Sequence, residues 1–197
     1  WFSVNDSFAF HVQRYFSAYL MAQRHYGANT IASYRDTFRL LLAYLDGTGH
    51  KKSGLKLAEV GRDCCASFLQ WLEEARDNAV STRNVRLAHL KSFYGYVYLQ
   101  APEHTEFCNG VLSIPFAKMG KKPPGCLTTD AVARLLHCVD SREKGGLGHL
   151  SILSLIYDSG CRVQELIELH VSDFQFGKCC RVFVHGKGDK YREIPID

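Results

Sequence analysis

Two stretches of this 197-residue chain carry side chains whose types and spacing could act on a phosphate: Arg162 with Glu165, and Lys187 between Gly186 and Gly188. Arg162 follows Gly160 and Cys161 and precedes Val163, Leu166 and Ile167, the apolar positions of a short helix, so it stands at a helix start. A cation there works against the macrodipole, and unless a carboxylate holds it the arrangement favours an anion at that end. The planar guanidinium would meet two non-bridging phosphate oxygens and bind them more strongly as charge grows in a pentacoordinate transition state. Glu165 lies one turn along and can hold that fork; the two residues also fit an ordinary i, i+3 ion pair on a surface helix. Lys187 rides on backbone that can move and approach a ligand closely, and a solvated turn lysine is the plain alternative. It is not a nucleotide-binding P-loop lysine, since Gly188 stands where that motif has Ser or Thr and the upstream glycine is missing.

The surrounding sequence supplies elements to position these residues. Thr128 can cap a helix in which Val132, Leu135, Leu136 and Val139 recur at i, i+3, i+4, i+7, and the near-continuous apolar run Leu147 to Tyr157 predicts a buried helix ended by Gly160. Strand-like pieces follow at 173–176, 180–185 and 191–196, the last two joined across the glycine-flanked lysine. Residues 127–197 therefore read as a partial α+β domain, helices first and a small antiparallel sheet after. Residues 115–126, broken by Pro115, Gly120, Pro123, Pro124 and Gly125, cannot sustain a helix and read as an interdomain linker charged by Lys118, Lys121 and Lys122.

Residues 1–114 hold four helical patterns, so the whole chain is mainly α. The first is aromatic-rich and runs from Phe8 to Tyr26. In the second, Thr30 offers an N-cap and Ile31, Tyr34, Phe38, Leu41, Leu42 and Leu45 form a stripe. The third follows Asp63, with Cys65, Phe68, Leu69 and Leu72 on one face, and the fourth opens at Ser81 and runs to about Leu99. Short links between them favour an antiparallel bundle.

Net charge is +4 but unevenly spread: residues 1–122 carry 15 Lys/Arg against 10 Asp/Glu, and residues 123–197 carry 9 against 10. A basic first half suits a polyanion. Ser81, Thr82, Arg83 and Asn84 crowd a helix N-terminus where hydroxyls, an amide and a guanidinium could grip a DNA phosphate, and Lys91 shares a face with Asn84. Thr30, Ser33 and Arg35 make a similar cluster on the second helix; N-caps with solvated charges explain both clusters equally. Tyr94, Tyr96 and Tyr98 are spread around their helix, which favours packing over base stacking. No apolar run approaches the roughly 18 residues a bilayer span needs, and no export signal opens the sequence. The eight cysteines lack C-x-x-C spacing, which argues against a zinc site, and read as reduced core thiols of a cytoplasmic protein.

Tyr157-Asp-Ser-Gly-Cys-Arg-Val-Gln-Glu-Leu166, followed by His185-Gly-Lys-Gly-Asp-Lys-Tyr-Arg-Glu-Ile-Pro195, resembles the signature of the tyrosine recombinases of the phage-integrase family. That signature joins a T-G-x-R-x-x-E-L helix start to a G-K-G-x-K hairpin; here Ser159 replaces the usual threonine. The first half, including Ser81-Thr-Arg-Asn84, looks like the family's SAM-like core-binding domain. The resemblance implies that Arg162 is the first catalytic arginine, with Glu165 supporting it, and that Lys187 enters the minor groove and protonates the 5′-oxygen leaving group. It also implies double-stranded DNA as partner, a recombinase tetramer on DNA in the full-length protein, and no cofactor. The family's H-x-x-R motif and tyrosine nucleophile are not in this sequence, and Tyr191 reads as part of the hairpin, so the chain alone is expected to bind DNA without cleaving it. A non-catalytic DNA-binding protein, whether repressor-like or a degenerate recombinase, is the alternative, and a helical protein-interaction module a third.

Overall fold

The computed structural model describes residues 6–50, 54–120, 125–186 and 190–196. The chain divides into two compact units, 1–121 and 122–197.

The first unit is helical. Helix α1 (Phe8–Arg14) continues into a π-helical segment, Tyr15–Gln23, and is followed by α2 (Ala28–Gly47), α3 (Arg62–Glu74), α4 (Val80–Gln100) and α5 (Thr105–Leu112). Helix α4 is the hub, lying against α2, α3 and α5. The core is aromatic where α1, α2 and α4 meet. Tyr15 and Phe38 both stand edge-on to Phe93 with ring centroids 5.4 and 5.2 Å away, and the Tyr15 hydroxyl donates to Ser92 Oγ at 2.8 Å. Edge-to-face packing of this kind stabilises beyond simple area burial. The α3 stripe Cys65, Phe68, Leu69, Leu72 is buried as its spacing requires. Tyr94 and Tyr96 are buried in the core and Tyr98 is exposed. The sequence pattern did not single out α5, whose Cys108 and Val111 close the core beside α4.

Several local expectations are corrected. Gly27, not Thr30, precedes the first turn of α2, so Thr30 lies inside the helix. Helix α4 starts one residue before Ser81, and no side chain caps it.

In the second unit, α6 (Thr129–His137) is capped by Thr128, whose Oγ1 accepts from the Ala131 N–H at 3.3 Å. Helix α7 (Gly146–Ser159) ends at Gly160, held at φ 60°, the left-handed region glycine tolerates best. After α8 (Val163–Ile167) come β1 (Phe174–Gln175), β2 (Cys180–Gly186) and β3 (Lys190–Ile196), an antiparallel sheet in the order β1-β2-β3. Its buried centre is small: Cys161, Val182 and Val184, with Leu169, Phe174, Ile194 and Ile196 against them. That small core explains a further correction. Helix α7 was expected to be buried, yet Leu147, Ile152 and Tyr157 are exposed, because the described residues of this unit supply too little surface to cover both its faces. The cysteines also divide: Cys65, Cys108 and Cys161 are buried, Cys64 and Cys180 half-buried, and Cys126, Cys138 and Cys179 exposed, so the last three are not core thiols.

Candidate phosphate site and nucleic-acid interface

Glu165 is the centre of the second unit's polar chemistry. It is buried, 6% exposed, and three groups donate to its carboxylate. Its Oε2 accepts from the Arg162 backbone N–H at 2.9 Å and from Arg192 Nη2 at 2.6 Å, while Oε1 accepts from Arg162 Nη1 at 2.6 Å. Donation from the Arg162 backbone, opposed by burial and reinforced by the two guanidinium groups, holds this carboxyl below the ordinary carboxylate range. One carboxylate between two arginines leaves a net positive charge. Arg162 is 69% exposed, and among the described residues its Nε and Nη2 have no acceptor, so they are available to an anion. The chemistry therefore differs from a helix-end site: α8 is barely more than one turn, and the backbone N–H at its start is already taken by Glu165. The guanidinium, rather than a macrodipole, would hold the phosphate.

The hairpin sets the other side of this site. Strand register places Val182 opposite Ile194, Val184 opposite Arg192 and Gly186 opposite Lys190, so these pairs share one face of β2 and β3. Val182 and Val184 are fully buried on that face, and Arg192 extends the same row to Glu165. At Gly186 a Cβ would stand 3.1 Å from Glu165 Oε1, tighter than side chains ordinarily sit, which gives the glycine a local reason. On the opposite face Arg181 pairs with Glu193, and Tyr191 stacks on His185 with centroids 4.6 Å apart, so Tyr191 is engaged within the hairpin. Lys187 lies outside the described residues. Arg192 was missed by sequence reasoning; its signal was a charged residue at a position where strand alternation places an inward side chain.

In the first unit, the residues expected at a nucleic-acid surface fall into two groups. Arg83, Asn84 and Lys91 converge on residues 115–117, the start of the segment read as a linker. Arg83 Nη1 donates to the Pro115 carbonyl at 3.1 Å, and Asn84 donates to the Ala117 carbonyl at 2.8 Å while accepting its N–H at 3.0 Å. The Lys91 ammonium lies 4.9 Å from the Phe116 ring centroid. Ser81 and Lys118 are exposed or half-exposed beside this arrangement and Thr82 is half-buried; Lys121 and Lys122 lie outside the described residues. On α2, Thr30 and Arg35 are exposed and Ser33 is half-buried. Arg35 lines an apolar hollow with Val12, Phe16 and Ile31, whereas the Ser33 carbonyl faces α4 and accepts from Arg86 Nη1 at 3.1 Å. Arg86 also donates to Thr37 Oγ1 at 3.0 Å, whose hydroxyl lies 2.7 Å from His89 Nδ1. Burial, helped by the Arg86 charge, lowers the His89 pKa to about 4. Among the described residues no group of His, Cys, Asp or Glu is arranged to hold a metal ion, and no helix is long and apolar enough to cross a membrane.

Both halves of the chain match one class of protein. Residues 12–101 match the phage integrase N-terminal SAM-like domain, and residues 126–197 match the phage integrase family. The chain belongs to this family, the tyrosine recombinases. Over 187 residues it is 33% identical to the integrase/recombinase-type protein y4rD of Sinorhizobium fredii, covering 94% of this chain and 66% of that one. It is 30% identical to tyrosine recombinase XerD of Rickettsia conorii, covering 90% and 58%. Its fold resembles that of lambda integrase, in a structure of a dimer bound to a COC′ core site, with TM-score 0.69 and 18% identity over 95% of this chain and 48% of that one. The fold of XerH site-specific recombinase, bound to a palindromic difH substrate, matches with TM-score 0.63 and 20% identity over 88% and 50%. The chain thus spans roughly 56–66% of the length of the first curated relatives it matches.

Proposed function

We propose that this chain is the DNA-holding and phosphate-clamping portion of a site-specific tyrosine recombinase. The observation that carries this reading is the exposed Arg162 guanidinium, oriented by a buried carboxylate and next to a lysine-bearing hairpin. In the intact enzyme Arg162 stabilises charge on the non-bridging oxygens while a tyrosine supplied outside these residues attacks the phosphodiester. Lys187, the residue after Gly186, protonates the departing 5′-oxygen. A 3′-phosphotyrosine conserves the bond energy for resealing, so the reaction needs no nucleotide cofactor. The 197-residue chain binds duplex without forming that link, and the full-length protein assembles as a tetramer on DNA in the cytoplasm. Support for duplex as partner comes from the lambda integrase structure, bound to a COC′ core site, and the XerH structure, bound to a palindromic difH substrate.

The test is binding to a labelled duplex across a salt series. Neutralisation of about five phosphates gives a slope of log affinity against log salt near −4 to −5. Affinity indifferent to salt would overturn the reading, as would a covalent adduct formed by this chain itself.

A further inference from the structure

We propose that Arg192 is a positioning residue: through Glu165 it fixes the direction in which Arg162 presents its remaining guanidinium N–H groups, and it ties β3 to the same carboxylate. What Arg162 would hold rests on the recombinase reading; the positioning itself does not.

Strand register puts Arg192 at an inward position opposite Val184, continuing a row whose other members, Val182, Val184 and Ile194, are apolar and wholly or partly buried. A long charged side chain is costly on such a row unless its head finds a partner, and the head of Arg192 reaches Glu165 Oε2 at 2.6 Å while its side chain is 43% exposed. Glu165 is then shared. Arg162 Nη1 takes Oε1, the Arg162 backbone takes Oε2 from one side and Arg192 takes Oε2 from the other. With Arg192 in place the carboxylate cannot rotate without breaking a charged hydrogen bond, and a carboxylate that cannot rotate fixes the fork bound to its other oxygen.

The other charged and titratable groups on elements beside Glu165 do not substitute for Arg192. On β2, Arg181 is paired with Glu193 and His185 lies on Tyr191; on α7, Asp158 is exposed and of the wrong sign. Gly186 approaches Oε1 without contributing a side chain, and among the described residues the cations that donate to the carboxylate are Arg162 and Arg192.

The test uses this chain with 15N-labelled arginine and 13C-labelled glutamate. Arg192→Met keeps the apolar stem but removes the cation, Arg192→Lys keeps a charge, and the Val182, Val184 and Ile194 methyl signals report whether the hairpin remains folded. In Arg192→Met the Glu165 carboxyl should titrate at higher pH than in the wild type, and the Arg162 side-chain N–H signal should shift and exchange with water at least ~10-fold faster, the factor for a 1.4 kcal/mol change in opening. Arg192→Lys should restore most of the Glu165 titration and only part of the Arg162 protection, since an ammonium is a point charge rather than a fork. Unchanged Arg162 and Glu165 signals in Arg192→Met would overturn the proposal, and so would loss of the hairpin methyl pattern, which would assign Arg192 to strand stability. Adding a mixed-sequence duplex of about 30 base pairs to the wild type separates the two readings. If the Arg162 signal ignores the duplex, the recombinase reading fails, while the variants still decide whether Arg192 positions Arg162.

Discussion

Asn84 closes both edges of its side-chain amide on Ala117, donating to the carbonyl at 2.8 Å and accepting the N–H at 3.0 Å. A side chain that fits a DNA-contacting residue by type and position on a helix face is thus committed to holding the chain as it leaves the helical unit. Asn84→Ala should therefore free residues 115–117. With each hydrogen bond contributing about 1 kcal/mol, exchange of the Ala117 amide should speed up by roughly 10-fold or more, read by hydrogen exchange. The same variant should change the salt slope of DNA binding by less than about one, because an occupied amide has little left for a phosphate.

Arg83 and Lys91 keep their charge beside that segment and should behave differently. Replacing both with alanine should flatten the slope of log affinity against log salt by roughly one unit for each phosphate that is no longer neutralised. An unchanged slope would confine both residues to holding Pro115 and Phe116.

Gly186→Ala places a methyl group 3.1 Å from Glu165 Oε1, and either the carboxylate or β2 must yield. Overpacking of this kind costs about 1–3 kcal/mol. The expected outcome is faster amide exchange across β2 and β3 together with a changed Arg162 side-chain signal. Wild-type exchange would show that the hairpin absorbs the methyl freely.

The pH dependence of the helical unit should carry the signature of His89. Its pKa falls from 6.5 to about 4 in the folded chain. The unfolded chain therefore binds more protons between these values, so stability is complete above about 6.5 and is lost progressively as pH falls toward 4. Urea unfolding followed by Trp71 fluorescence should show this, and His89→Asn, which does not titrate in this range, should flatten the slope in that window.

In a recombinase that carries this chain and its nucleophile, Arg162→Ala should slow cleavage by at least about 10²- to 10³-fold, the cost of losing one preorganised donor. Lys187→Ala should also slow it, and a bridging 5′-phosphorothiolate substrate, whose sulfur leaves without a proton, should restore the lysine variant far more than the arginine variant. Equal rescue of both would remove the general-acid role from Lys187.

Much of the fold could be read from spacing alone, because a stripe such as Cys65, Phe68, Leu69, Leu72 has one burial solution, and Thr128 has a hydroxyl at the one place where a helix start lacks acceptors. Where reading failed, the missing information was the partner. The apolar run of α7 specifies a helix but not what covers it, so burial was inferred where Leu147 is exposed. The Arg162–Glu165 pair was visible as an i, i+3 relationship, whereas Arg192 joins it from 27 residues beyond Glu165 and only pairing of β2 with β3 brings it there. The hold of Asn84 on Ala117 was illegible for the same reason: an amide edge does not disclose its partner 33 residues away.

Strand pairing also determines where a change in length would disturb the ladder. Gly186 pairs with Lys190, so residues inserted between them leave the ladder below in step. One residue inserted or deleted between Lys190 and Arg192 would instead exchange the two faces of β3, turning Tyr191 or its neighbour toward Glu165 and sending the guanidinium outward. Homologues should accordingly hold a fixed count from Lys190 to Arg192, a pattern an alignment can check without any structure.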